Sequence, residues 1–358
     1  QTCALPILIN KNTVEVNGQQ YTGKNVVLAT GSYAKTLPGL EIDGSKVMTS
    51  DQALHLNYVP KSVIVLGGGV IGCEFASVWK SFGAEVTIIE GLPRLIALED
   101  ESSSKQIERA FRKRGINFEV GTKFQSHKVD SNGVTVTLEN GKSFTADILL
   151  VAVGRGPVSQ GLGYEEAGIK MDRGHILVDN KCRTSVPGIW AVGDLIPTLQ
   201  LAHVGFQEGI LVAEEIAGLN PRPINYDGVP RVTYSEPEVA SVGLSTATAK
   251  ERGFDVVELT YDLAGNGKAN ILKTAGSIKL VAAKNGPVLG IHMVGARVGE
   301  LLAEAQLIFN WEASADDVAP LIHAHPTMSE ALGEAHLALR SEEHTSELQS
   351  RGLISYAV

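Results

Sequence analysis

The chain has 358 residues, 44% of them hydrophobic and 20% charged, enough apolar material for large cores and for two or three domains. A formal net charge of −9 with no long lysine or arginine run argues against nucleic acid and anionic membrane as partners. The longest apolar runs, such as residues 148–153, are strand-length, so no transmembrane helix is expected. Cys3, Cys73 and Cys182 have the spacing of neither a disulfide framework nor a zinc site, which suits a reducing, cytoplasmic setting without a metal.

Residues 1–7 lack the basic region and apolar core of a signal peptide. They and residues 340–358 read as in-frame translations of sequencing-library adapters, so a truncated reading frame with non-native ends is expected. Asn25-Val26-Val27-Leu28-Ala29-Thr30-Gly31-Ser32 reads as a buried strand ending in a phosphate-compatible turn, although the chain before it is too short for a domain.

Val63-Ile64-Val65-Leu66 is a second apolar strand, and Gly67-Gly68-Gly69-Val70-Ile71-Gly72 follows it at once. Ile71, Phe75, Val78 and Phe82 then recur at helical spacing, Gly83 ends the helix, and Val86-Thr87-Ile88-Ile89-Glu90 forms the next strand. Gly67, Gly69 and Gly72 occupy the GxGxxG positions of a dinucleotide-binding β-α-β unit, where glycine allows a tight turn, close approach to pyrophosphate and close helix–strand packing. The helix N-terminus, at Val70 and Ile71, receives the phosphate charge. Glu90 stands where an acid accepts the adenosine ribose hydroxyls and repels a 2′-phosphate, which points to NAD rather than NADP, with Arg94 as the competing signal. An amphipathic segment over 103–114, strands over 116–120 and 133–138, an Asn140-Gly141 hairpin and a buried strand over 148–153 complete this unit.

Downstream, Gly188-Ile189-Trp190-Ala191-Val192-Gly193-Asp194 is a strand that presents an aspartate at its carboxyl end, either as a ligand-binding group or as a cap, and a helix over 204–217 follows. From Val229 the pattern becomes strand-rich α+β, with a helix over 298–309. The chain then reaches Ile322-His323-Ala324-His325-Pro326-Thr327-Met328-Ser329-Glu330, in which Glu330 at a helix start can orient His325 as a proton-transferring base. On these residues alone a packed histidine at a helix start is an equal alternative.

Ala29-Thr30-Gly31, the Gly67 to Glu90 unit, Val153-Gly154-Arg155, Val192-Gly193-Asp194, Tyr234-Ser235-Glu236-Pro237 and His323-Ala324-His325-Pro326-Thr327 together resemble the flavin-dependent pyridine nucleotide-disulfide oxidoreductases, over about residues 24–339. Within that family the likeness is greatest to the branch that oxidises dihydrolipoyl thiols with NAD⁺. Mercuric and glutathione reductases share the layout but prefer NADPH, against which Glu90 speaks. The resemblance implies an α/β fold: a Rossmann-like NAD-binding domain inserted in the remnants of an FAD-binding domain, followed by an α+β dimerisation domain. The implied segments are 8–37 (tail of the FAD-binding domain), 38–157 (NAD-binding), 158–228 (returning FAD segment) and 229–339 (dimerisation).

It further implies FAD and NAD as cofactors, a homodimer, and lipoyl domains of 2-oxo acid dehydrogenase complexes as partners. Thr30, Gly31, Ser32, Asp194, Gln200, Leu201, Ala202 and His203 would serve FAD. Gly154 and Phe124 would join Gly67, Gly69, Val70, Ile71, Gly72 and Glu90 around NAD. Glu74 matches a glutamate that pairs in the family with a lysine beside the flavin, and no such lysine is found here. His325, oriented by Glu330, would deprotonate the incoming thiol across the two-fold interface. The family's first flavin-binding glycine motif and its Cys-x-x-x-x-Cys are not in this chain, so a fragment inactive toward lipoamide is expected. A nucleotide-binding or interaction module is the alternative of another class.

Overall fold

The computed structural model describes residues 6–350, with backbone alone over 342–350. Residues 1–5 and 351–358 of the adapter-like ends lie outside them. The described residues divide into two compact units: the chain up to Lys35 with Gly154–Tyr226, and Thr36–Val153 with the chain from Asp227 onward. Among the described residues, no helix is long and apolar enough to cross a membrane.

In the first unit, Val26–Leu28 pairs in parallel with Ile189–Ala191, and Ser32–Ala34 pairs antiparallel with Arg155–Pro157. The stretch before Lys24, in which the sequence shows no element, forms a three-stranded meander of Ile7–Asn10, Thr13–Val16 and Gln19–Thr22. Leu8 anchors it in a core shared with Leu28, Ile176, Ala191, Leu195 and Leu211. Ile7, assigned by sequence to the non-native end, pairs with Glu15 in this meander. The helix Ala202–Ile216 closes the unit.

The second unit contains a parallel sheet in the order Val47–Met48, Ile148–Val151, Ser62–Leu66, Glu85–Glu90, Ile116–Val120. The helices Val70–Ser81 and Glu101–Arg114 cross between its strands, while an antiparallel meander over Phe124–Asp130, Gly133–Leu138 and Ser143–Ala146 takes the place of a third crossover helix. Apolar runs such as Ser62–Leu66 and Ile148–Val151 suit a sheet covered on both faces. Glu101–Arg114 has clear boundaries: the Asp100 carboxylate accepts from the Ser102 N–H, and Gly115, at φ 74°, ends the helix in the left-handed conformation.

The helix Val70–Ser81 departs from expectation. Its inward face is Gly72, Cys73, Ala76 and Trp79, while Val78 and Phe82 are 44% and 64% exposed. The physical reason at the helix start is distance: a helix that begins within the glycine turn lies close to its sheet there, and Gly72, Cys73 and Ala76 permit that, while the larger Trp79 is buried only one turn further from the glycines. Phe75, Val78 and Phe82 instead line an outer groove with Leu54, Tyr58 and Val59.

An antiparallel sheet in the order Arg231–Thr233, Glu238–Gly243, Val288–Gly295, Ser277–Ala283, Val256–Asp262 forms the rest of this unit. It packs beneath Leu302–Asn310 and Glu330–Ser350, a helix that runs past the expected end near Leu339. Charges tie this sheet to the segment before the Glu101–Arg114 helix: the largely buried Lys279 reaches Asp100 at 3.0 Å and, within its own sheet, the more exposed Glu258 at 2.9 Å, and the Ser241 hydroxyl donates to Glu99 at 2.6 Å. The buried members Glu99, Asp100 and Lys279 are each matched, as burial requires.

Candidate active site

The three glycines of the nucleotide turn serve different ends. A Cβ on Gly67, at φ 111°, would stand 2.2 Å from the Ala152 carbonyl oxygen, and one on Gly72 would stand 1.8 Å from that of Gly67. Both are demanded by the fold itself. Gly69 caps the helix at φ −74°, and a Cβ there would meet nothing within 4 Å. No side chain caps this helix, so the first-turn N–H groups at Val70, Ile71 and Gly72 have no intrahelical acceptor and face the open side of Gly69.

Glu90, ending the adjacent strand, accepts from the Gly68 N–H at 2.5 Å through one oxygen and from the Leu92 N–H at 2.7 Å through the other. Each oxygen retains a lone pair for a ribose hydroxyl. Arg94, the residue that left the phosphate preference open, donates to the Ala97 and Glu99 carbonyls at 2.7 and 3.1 Å. Its Nη2 is thereby held by its own loop. Phe124 opens a strand of the meander and packs its ring against the apolar cluster behind the sheet. Gly154, at φ 110° with open space at its Cβ position, belongs to the first unit.

In that first unit, Ser32 and Asp194, far apart in sequence, meet where two strands end. The Ser32 hydroxyl donates to the Asp194 carboxylate at 2.5 Å. Arg155 donates from Nε to Ser32 Oγ at 2.7 Å and from Nη2 to the Ser32 carbonyl at 2.8 Å, and its Nε stands 3.9 Å from Asp194. The Thr30 hydroxyl donates to the Val158 carbonyl at 2.6 Å. Gly31 and Gly193, at φ 72° and 70°, have nothing within 4 Å of a built Cβ, so both turns present bare backbone to open space. Gln200, Ala202 and His203 are exposed where the Ala202–Ile216 helix begins, and its N-cap, Leu201, supplies no side-chain acceptor. Open glycine turns, a carboxylate for hydroxyls and an uncapped helix start fit a dinucleotide.

Glu208 was not singled out in the sequence. It is fully buried and accepts from the Gly193 N–H at 2.6 Å and from the Thr198 and Tyr226 hydroxyls at 2.9 Å each. Burial, reinforced by Glu208, pushes the Tyr226 phenol well above its ordinary range. A glutamate in the middle of a helical pattern resembles any solvated carboxylate; its donors come from the glycine turn 15 residues earlier and from Thr198 and Tyr226. Arg155 was visible within Val153-Gly154-Arg155 but carried no assigned role.

His325 and Glu330 meet as expected from their spacing: His325 Nδ1 lies 2.7 Å from Glu330 Oε1. The second Glu330 oxygen accepts from the Thr327 N–H at 2.8 Å, and the Thr327 hydroxyl donates to the Ala324 carbonyl at 2.6 Å. The Thr327 N–H, then His325, holds the Glu330 carboxyl below its ordinary value and therefore ionised. A carboxylate facing Nδ1 selects the tautomer protonated there and leaves Nε2 as the free base. The His325 side chain is 77% exposed, so that nitrogen is open to a thiol. Glu74 accepts from the Tyr234 N–H at 2.8 Å, and burial raises its carboxyl pKa.

Two nucleotide-type strand–turn–helix sites, joined in one chain to an α+β domain that carries an oriented histidine, define the two-nucleotide oxidoreductases. Residues 6–209 match the family described as pyridine nucleotide-disulphide oxidoreductase, and residues 229–336 match its dimerisation domain; the chain belongs to this family, in its dihydrolipoyl dehydrogenase-type branch. It is 41% identical to the mitochondrial dihydrolipoyl dehydrogenase of Schizosaccharomyces pombe over 92% of this chain and 67% of that protein. It is likewise 41% identical to the Bacillus subtilis dihydrolipoyl dehydrogenase, over 88% of this chain and 68% of that one. Among solved structures, the HOCl-induced flavoprotein disulfide reductase RclA of Escherichia coli superposes with a TM-score of 0.86 at 28% identity, over 93% of this chain and 78% of that one. Members of the family use FAD and NAD(H), and the dimerisation domain supports a homodimer.

Proposed function

We propose that this chain carries the NAD-binding and acid–base parts of a dihydrolipoyl dehydrogenase, for the reaction dihydrolipoamide + NAD⁺ → lipoamide + NADH. The observation that carries the reading is the 2.7 Å His325–Glu330 pair, a base whose tautomer is fixed with its free nitrogen exposed. Glu90 with the Gly67–Gly72 turn would hold NAD, while Gly31, Ser32, Asp194 and the start of the Ala202–Ile216 helix would hold FAD. When bound, those groups supply the acceptance and transfer of the substrate's two electrons. The chain's own contribution is to bind and orient them, and to take the thiol proton at His325 Nε2, because only the thiolate is nucleophilic.

The family's disulfide has no representative among the cysteines of this sequence, which contains no Cys-x-x-x-x-Cys. Burial pushes the Cys73 thiol far up, and burial followed by Glu208 pushes Cys182 up to about 12. Both are packed, protonated side chains; Cys3 lies outside the described residues. The 358-residue polypeptide assayed by itself is therefore inactive toward dihydrolipoamide, although it binds NAD⁺. The segments 8–37, 38–157, 158–228 and 229–339 are the FAD-type, NAD-type, returning FAD-type and dimerisation parts, and lipoyl domains in a reducing compartment are the partners this chemistry requires.

The test adds dihydrolipoamide, NAD⁺ and FAD to the full chain and follows NADH, with NAD⁺ calorimetry in parallel. NAD⁺ binding without turnover is expected; turnover at an ordinary enzyme's rate sinks the inactive assignment, and absence of NAD⁺ binding sinks the cofactor assignment. A glutathione- or mercuric-type reductase would bind NADPH in preference, contrary to the position of Glu90.

A further inference from the structure

A second histidine–carboxylate pair lies on the same loop as the first. His323 Nε2 stands 2.7 Å from Glu304 Oε1, and the His323 side chain is largely buried. Glu304 lies in the first turn of the Leu302–Asn310 helix, so this bond ties the loop to one of the two helices that flank it. The other helix is met through Gly333. A Cβ there would fall 2.5 Å from His323 Nδ1 and 2.8 Å from Cε1, so the imidazole rests directly on helix backbone, in space that only glycine leaves.

One turn further along the same helix His336 is fully buried, with Nδ1 donating to the Leu332 carbonyl at 2.7 Å and Nε2 unpartnered. Burial lowers its proton affinity, so it is neutral; Glu304 and His323 both act on it electrostatically. His323 is thus held between Glu304 and Gly333, near enough to His336 to act on it electrostatically, while His325, two residues on, faces solvent.

We infer that His323 and Glu304 are positioning residues for His325, an inference that rests on reading His325 as the base. Three points would fix the loop: Glu304 and Gly333 hold His323, and Glu330 holds His325. An exposed imidazole can rotate about its own side-chain bonds, and Glu330 alone restrains the ring without restraining the backbone on its N-terminal side. The buried pair supplies that second restraint. The arrangement also excludes His323 as the base, since its ring is enclosed and Nε2 is taken.

The test is the tautomer of His325 in ¹⁵N-histidine-labelled full chain, read from long-range ¹⁵N–¹H spectra at a pH where His325 is neutral. The parent is expected to show the Nδ1–H form. Glu304→Gln, His323→Asn and Gly333→Ala cut the link from three sides. Each should move the ratio toward Nε2–H by roughly fivefold, the equilibrium equivalent of one net hydrogen bond. A merely structural role would alter stability and leave this ratio unchanged. Glu330→Gln serves as the separate check on the base itself. If it changes the tautomer while all folded variants of the other three keep the parent's ratio, the positioning role is overturned and the base survives; if Glu330→Gln also leaves it unchanged, the orientation of His325 by Glu330 fails as well.

Discussion

Replacing Gly69 with aspartate should separate the folding of the nucleotide turn from its use. The residue caps Val70–Ser81 with no side-chain bond of its own, at a negative φ that any residue adopts, and a Cβ there meets nothing within 4 Å. Aspartate is a preferred N-cap and a favourable charge at a helix start, so Gly69→Asp should leave the fold intact or raise its stability by about 0.3 kcal/mol. For NAD⁺ the effect is opposite. A carboxylate about 5 Å from a phosphate charge costs roughly 3 kcal/mol at an effective dielectric constant near 20, which weakens binding by more than about 100-fold. Calorimetric titration with NAD⁺ and thermal unfolding of the same preparation measure both. Gly72→Ala is the counterpart: its Cβ would lie 1.8 Å from the Gly67 carbonyl oxygen, so it should lower the unfolding temperature. An aspartate variant that bound NAD⁺ within threefold of the parent, or that unfolded as readily as the alanine variant, would refute the assignment of Gly69 to the ligand and Gly72 to the fold.

Glu90→Ser removes the carboxylate that would repel a 2′-phosphate and frees the Gly68 N–H, so NAD⁺ should bind about tenfold more weakly while NADP⁺ gains. Parallel titrations check this, and an unchanged NAD⁺ preference would mean that another residue discriminates. Asp100 gives the fold an acid limit. Burial raises its carboxyl pKa, but Ser102, His292 and Lys279 outweigh burial and hold it well below the carboxylate range. A group with a lowered folded pKa contributes stability above its unfolded value, about 3.9, and loses it as pH falls toward the folded one. Chemical unfolding from pH 7 downward should therefore show stability falling below about pH 4. Asp100→Asn should flatten that fall and cost about 2 kcal/mol at neutral pH, Glu258 still serving Lys279. An equally steep fall in the variant would place the acid limit elsewhere.

What the amino-acid sequence determined by itself was local. The strand over 62–66, the GxGxxG turn and Glu90 lie within 29 residues of chain, and His325 and Glu330 are five apart; such spacings fix geometry without reference to the rest of the molecule. The amphipathic segment over 103–114 was legible for the same reason, and the structure starts that helix two residues earlier, at Glu101, behind the Asp100 cap. Three matters needed the tertiary structure. Which face of Val70–Ser81 turns inward was decided by how closely the start of the helix must approach the sheet, against the Val78 and Phe82 positions that periodicity favours. Where Nη2 of Arg94 is directed was decided by the carbonyls of its own loop. The partners of Glu208, Arg155 and His323 come from residues 10 to 123 positions away, or from a glycine that leaves room for a ring, and no periodicity records such pairings. A buried charge or imidazole is specified by what surrounds it, and only the folded chain brings those surroundings together.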